Sequence, residues 1–126
     1  MTHEAAVVMV VDNEAPIRSA IAARLDLEGY AVVEAASADE AIDTIQHRAV
    51  DAVISDVRMP GHLDGVGLAV WISKNAPSVA VLLMSGKRRP DILKNILPAV
   101  PFFQKPFAMG ALLTALDRRI HRTTLH

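Results

Sequence analysis

The sequence contains no cysteine, which excludes disulfides, thiolate zinc centres and cysteine nucleophiles. Its five histidines, His3, His47, His62, His121 and His126, fall without ligand spacing, so a histidine metal centre is not expected either. No apolar run approaches the roughly 18 residues that a membrane-spanning helix needs. The first residues, Met1-Thr2-His3-Glu4, carry no basic leader, and the apolar segment they precede is short. A secretory signal is therefore not expected, and the predicted location is the cytoplasm. Charge of neither sign dominates: the net value of -1 gives no general drive toward nucleic acid. Lys87-Arg88-Arg89 and Arg118-Arg119 with Arg122 read as solvated basic faces. Linkers, repeats and low-complexity stretches are missing as well.

A chain of 126 residues is long enough to bury a real core and too short for two ordinary domains. One domain over 1–126, with its core at about 6–121, is expected. Hydrophobic residues make up 52%, which suits a sheet covered on both faces. Residues 6–11, 31–35, 52–55, 79–84 and 102–104 read as strands, most of them near-continuous apolar runs. Helical stretches alternate with them. Pro16 stands early in the first, where its missing N–H costs little. Ile17, Ala20, Ile21, Arg24 and Leu25 follow at steps of three and four until Gly29. Ser37 and Glu40 have capping-box spacing before Ala41, Ile42 and Ile45, and Asp64-Gly65 opens a third helix. Pro90, Pro98 and Pro101 limit any helix between 87 and 101 to about two turns, so an irregular, mobile connection is expected there. The last helix carries Met109, Leu112, Leu113, Leu116 and Ile120 toward the core and exposes Arg118, Arg119 and Arg122. Such alternation predicts a doubly wound parallel α/β sheet.

Four polar residues close apolar runs: Asp12, Asp56, Ser85 and Lys105. In an open parallel sheet those strand ends lie side by side, so one shared pocket is predicted. Carboxylate, hydroxyl and ammonium at such an edge suit Mg²⁺ and a phosphoryl group.

Val10-Val11-Asp12-Asn13-Glu14, Ser55-Asp56-Val57-Arg58-Met59-Pro60 with Asp64-Gly65, Ser85-Gly86 and Lys105-Pro106-Phe107 together resemble the receiver domain of two-component response regulators. The resemblance spans roughly residues 7–120. It implies a flavodoxin-like sheet of five parallel strands in the order 2-1-3-4-5. It also implies that Asp56 accepts a phosphoryl group from a sensor histidine kinase or histidine phosphotransfer protein. Asp12, Asp56 and the backbone carbonyl of Arg58 would hold Mg²⁺, while Ser85 and Lys105 would bind phosphoryl oxygens. Lys105-Pro106 would be a cis peptide. The chain would act as a switch for protein binding or as a phosphoryl relay, taking part in its own phosphorylation and dephosphorylation without being an enzyme acting on other substrates.

Two departures stand out. The family usually has two adjacent acids after the first strand; here Asn13 follows Asp12 and can still offer the metal a carbonyl oxygen or bind a metal-bound water, but one negative charge is missing and weaker Mg²⁺ binding is expected. The loop from Met59 to Gly65 has one residue more than the commonest spacing, an insertion a loop absorbs cheaply.

Asp12 and Asn13 would also suit a helix cap, and Asp56 with Lys105 would also suit a structural ion pair in an interaction module that is never phosphorylated. A Mg²⁺-dependent aspartyl phosphatase would want a second acid two residues after Asp56, where Arg58 stands. A flavin binder would need a hydroxyl- and glycine-rich loop after the first strand, and Asn13-Glu14-Ala15-Pro16 is not one. Phe102, three before the lysine, occupies a position where receivers often carry a switching aromatic. Val70 and Trp71 fall off the core stripe of Leu68, Ala69 and Ile72 and so read as an exposed apolar pair, which suits either a partner or homodimer surface or ordinary scattered exposed hydrophobes.

Overall fold

The computed structural model describes residues 5–124, with side chains described as far as residue 120. The elements alternate strictly: β1 (Val7–Val11), α1 (Ala15–Leu27), β2 (Ala31–Ala35), α2 (Ala38–His47), β3 (Ala52–Asp56), α3 (Gly65–Asn75), β4 (Ala80–Ser85), α4 (Leu93–Ile96), β5 (Phe102–Gln104) and α5 (Met109–Thr124). All strand pairs are parallel and the sheet order is β2-β1-β3-β4-β5, as expected.

Alternation along each strand divides the core in two, because successive side chains point to opposite faces. Met9, Val11, Val53 and Leu83 meet Ala41 of α2, Leu68 and Ile72 of α3 and Leu93 of α4 on one face. Val8, Val10, Ile54, Leu82 and Met84 meet Ile21 and Leu25 of α1 and Leu112 and Leu116 of α5 on the other. Both faces being covered explains the unbroken apolar strands. The chain leaves β1 toward β2 on one side and returns to β3 on the other, so the crevice where strand order reverses opens at the C-terminal ends of β1 and β3. Asp12 and Asp56 stand there.

Local signals act as their chemistry requires. Ser37 Oγ accepts the Glu40 N–H at 3.1 Å, and Asp64 caps α3 by accepting the Gly67 N–H at 2.8 Å. The longer loop before α3 turns at Gly61, whose φ of 109° suits glycine. Between β4 and β5 the prolines leave a single turn of helix, α4.

Two surface expectations are corrected. Val70 and Trp71 are half-buried, and Trp71 packs against the hydrophobic cluster that α2, α3 and α4 form over the sheet. The pair is therefore not the fully exposed apolar patch that its place off the stripe predicts. Arg119 is also half-buried, donating from Nη2 to the Ala99 carbonyl at 2.6 Å, whereas Arg118 is exposed. Arg122 lies outside the residues whose side chains are described.

Gly65 fits only as glycine. A Cβ there would collide with the Asp56 carbonyl oxygen and sit 2.8 Å from Val57 Cα. Gly110, in α5, has nothing within 4 Å of the same position. Gly65→Ala is expected to lose about 1–3 kcal/mol in urea unfolding, and Gly110→Ala to gain about 0.5–1 kcal/mol.

Candidate functional site

The sheet brings Asp12, Asp56, Ser85 and Lys105 to one edge. Asp12 is 0% exposed, Ser85 1% and Asp56 7%, so three polar groups are inside the molecule at the ends of β1, β4 and β3. Lys105, just past β5, reaches across them: its Nζ lies 3.4 Å from Asp12 Oδ2 and 3.6 Å from Asp56 Oδ1. The Lys105-Pro106 bond is cis. Ser85 follows Met84, the register partner of Asp56. Its carbonyl accepts the Lys105 N–H at 2.7 Å, and its Oγ accepts the Lys87 N–H at 3.1 Å.

Asp12 is not the N-cap of α1. That position is Glu14, which makes no side-chain cap, while Asp12 Oδ1 accepts the Glu14 N–H at 2.9 Å. The second oxygen is thereby left for Lys105. Asn13 and Arg58 are exposed and line an open cleft of about 340 Å³ with Met59, Pro60 and Asp64.

Two contributors escaped sequence reasoning. Gly65 lets α3 begin against the Asp56 backbone, and only its place beside Asp64 hinted at that. Arg18 donates from Nη1 to the Asp12 carbonyl at 2.7 Å and from Nε to Glu34 at 3.0 Å. Pairing β1 with β2, which sets Val10 opposite Glu34, was the signal that could have found it.

The family model for the response regulator receiver domain matches residues 8–117. The chain belongs to the response regulator receiver family. It is 33% identical over 121 residues to a putative NtrX-like response regulator of Rickettsia typhi, a match covering 94% of this chain and 26% of that protein. The chain thus spans about a quarter of the length of that relative. Among solved structures, the NtrX receiver domain of Brucella abortus superposes with a TM-score of 0.81 at 31% identity, covering 90% of this chain and 98% of that one. TrrA of Thermotoga maritima, solved in complex with Mg²⁺ and BeF, gives a TM-score of 0.80 at 26% identity with the same coverage.

Electrostatics give this receiver edge its chemical character. Burial pushes the Asp56 carboxyl above its ordinary pKa. The nearby Asp12 charge adds to that, and Lys105 and the Arg58 backbone N–H oppose it without cancelling it. Two carboxylates share one ammonium, an arrangement one positive charge short of neutrality. The donors facing it are hard oxygens, which suit Mg²⁺. Among the described residues no three His, Cys, Asp or Glu side chains gather as a metal cluster. A cation here would have two carboxylates and would complete its shell with a backbone carbonyl and water, as Mg²⁺ commonly does.

The raised Asp56 pKa has a stability consequence of definite sign. The folded protein holds the Asp56 proton more tightly than the unfolded chain. The destabilising contribution is therefore absent below the ordinary carboxylate pKa of about 3.9 and complete above the raised folded value. Asp56→Asn removes the charge while leaving Lys105 paired with Asp12. In Mg²⁺-free buffer at pH 7 its melting midpoint is expected to exceed the parent's by a few degrees, at roughly 4 °C per kcal/mol. The difference should shrink as pH falls toward 4.

Proposed function

We propose that Asp56 accepts a phosphoryl group from a phosphohistidine on a sensor kinase or histidine phosphotransfer protein. The observation that carries this reading is the Lys105 ammonium set within 4 Å of both Asp12 and Asp56. An Asp56 oxygen attacks phosphorus, the P–N bond to the imidazole breaks, and the departing nitrogen keeps the electron pair and takes up a proton. Such transfer involves little covalent work by the protein; it requires in-line positioning and charge neutralisation.

Asp12, Asp56 and the Arg58 carbonyl would hold Mg²⁺, which supplies positive charge against the carboxylates and the phosphoryl oxygens. Lys105 supplies a second, fixed positive charge, and the Ser85 hydroxyl a hydrogen bond to a phosphoryl oxygen. Asn13 contributes an amide in place of a charge. TrrA, the relative solved with Mg²⁺ and BeF, supports this assignment of the edge.

The added charge at Asp56 draws Ser85 toward it and biases the β4–α4–β5 region, switching protein interactions. No helix among the described residues is long and apolar enough to cross a membrane, and a cytoplasmic location belongs to the same reading. The output of any longer protein that contains this domain is left to its other parts.

Acetyl phosphate or a cognate kinase is expected to label the protein only when Mg²⁺ is present, and Asp56→Ala to abolish the label. Equal labelling of Asp56→Ala would refute the site, and an unlabelled parent would favour an interaction module that works unphosphorylated. Asn13→Asp restores the missing charge. Calorimetric titration should show tighter Mg²⁺ binding in that variant, by about tenfold, because opposite charges about 4 Å apart attract by roughly 1 kcal/mol per unit charge even in water.

A further inference from the structure

We infer that Arg18 is a positioning residue for the metal-binding site, holding Asp12 so that a single carboxylate oxygen is presented to the site. This rests on the phosphoryl-acceptor reading for its purpose and on separate contacts for its geometry.

Arg18 stands in the first turns of α1, its N–H closing a helical bond to the Glu14 carbonyl at 3.0 Å. A cation there is electrostatically misplaced, because the N-terminal end of a helix is the positive end of its dipole. It also lies beside a site that would attract a cation. Yet its side chain is only 18% exposed, folded inward over the ends of β1 and β2. Nη1 donates to the Asp12 carbonyl at 2.7 Å and Nε to Glu34 Oε1 at 3.0 Å. The planar guanidinium fork can serve a carbonyl and a carboxylate together; a lysine ammonium at the end of a flexible stem cannot hold both in fixed geometry.

The result is an aspartate constrained on every side but one. The Asp12 N–H is donated to the Ala35 carbonyl at 3.1 Å. Its carbonyl is held by Arg18, and Oδ1 accepts the Glu14 N–H. Oδ2 alone faces Lys105. Because Asn13 is neutral, Asp12 is the one charged member of the Asp12-Asn13 pair, so its aim matters more here than where two acids share the task. Glu34 neutralises the cation that performs the holding.

The sign of one measurement separates positioning from simple charge. Removing a cation near a metal site should tighten metal binding if field alone matters, and should weaken it if the residue aims a ligand. We would titrate unphosphorylated protein with Mg²⁺ and follow amide NMR shifts for the parent, Arg18→Met and Arg18→Lys. Arg18→Met is expected to raise the Mg²⁺ Kd about tenfold, the usual scale for losing a group that orients a ligand, and Arg18→Lys to fall between it and the parent. Labelling by acetyl phosphate should show a raised half-saturating Mg²⁺ concentration with the rate restored at saturation. A purely structural defect would lower the folded fraction without moving Kd. Unchanged or tighter Mg²⁺ binding in Arg18→Met overturns the inference. If that variant does not fold, Arg18→Lys decides alone: a raised Kd supports positioning and an unchanged one refutes it. A parent that binds Mg²⁺ but is never labelled removes the phosphoryl-acceptor reading while the Kd comparison still judges Arg18. A parent that binds no Mg²⁺ overturns both.

Discussion

One ammonium against two buried carboxylates is the constraint on which the rest of the structure depends. Asp12 and Asp56 are almost wholly removed from water, and buried ionised groups are tolerated only when charge and hydrogen bonds compensate them. Lys105 compensates only in part. Its side chain comes from the opposite edge of the sheet, so β1, β3 and β5 must all be in register for the charges to meet. The sheet order that places β3 and β4 between β1 and β5 is thus a requirement of the site as much as a property of the fold.

Stability for this arrangement comes from elsewhere. The two apolar layers on either side of the sheet are continuous, and the helices that form them contribute almost nothing polar to the core. A deficit of positive charge at the edge can persist because the apolar burial in those layers offsets its cost. Backbone contacts confine the deficit further. The Val57 N–H is donated to Met84 and the Gly65 N–H to Val57, each at 2.8 Å, which locks the chain immediately after Asp56 between β4 and α3.

Legibility in the sequence followed the physical range of each interaction. The strands were readable because apolar runs on a doubly covered sheet need no partner information, and the cap at Ser37 because it is settled within four residues. The convergence of the four polar residues followed from their places at the ends of apolar runs in a parallel sheet, and the sheet order once the resemblance supplied topology. Trp71 could not be placed by its own helix, since its burial comes from a cluster assembled by several elements. Arg119 reads as solvated in sequence because its acceptor, the Ala99 carbonyl, belongs to a proline-bounded turn with no periodicity. Arg18 was missed for a similar reason: its role is made by a carbonyl and by a residue on the adjacent strand, and neither is visible along α1. Interactions with backbone acceptors are the ones a one-dimensional pattern conceals.

Under the proposed reading, Ser85 is prepared to meet a phosphoryl oxygen by the hydrogen bonds it already makes. Its hydroxyl oxygen already accepts the Lys87 N–H, so the group's acceptor capacity is partly used and its proton remains to be donated. A hydroxyl with that occupancy is suited to an anionic oxygen and poorly suited to a second donor. Its own carbonyl is meanwhile engaged by the Lys105 N–H, so the residue that would bind the phosphoryl group and the lysine that would neutralise it are joined through the main chain. Under the proposed reading, a pull on the Ser85 hydroxyl acts on Lys87 and on the start of the β4–α4 connection. Arg89, two residues further, donates to the Pro98 carbonyl at 3.4 Å and so bridges the two ends of the segment that contains α4. Under that reading, charge added at Asp56 acts on Ser85 and Lys87 at the start of the segment that holds α4, the shortest helix among the described residues.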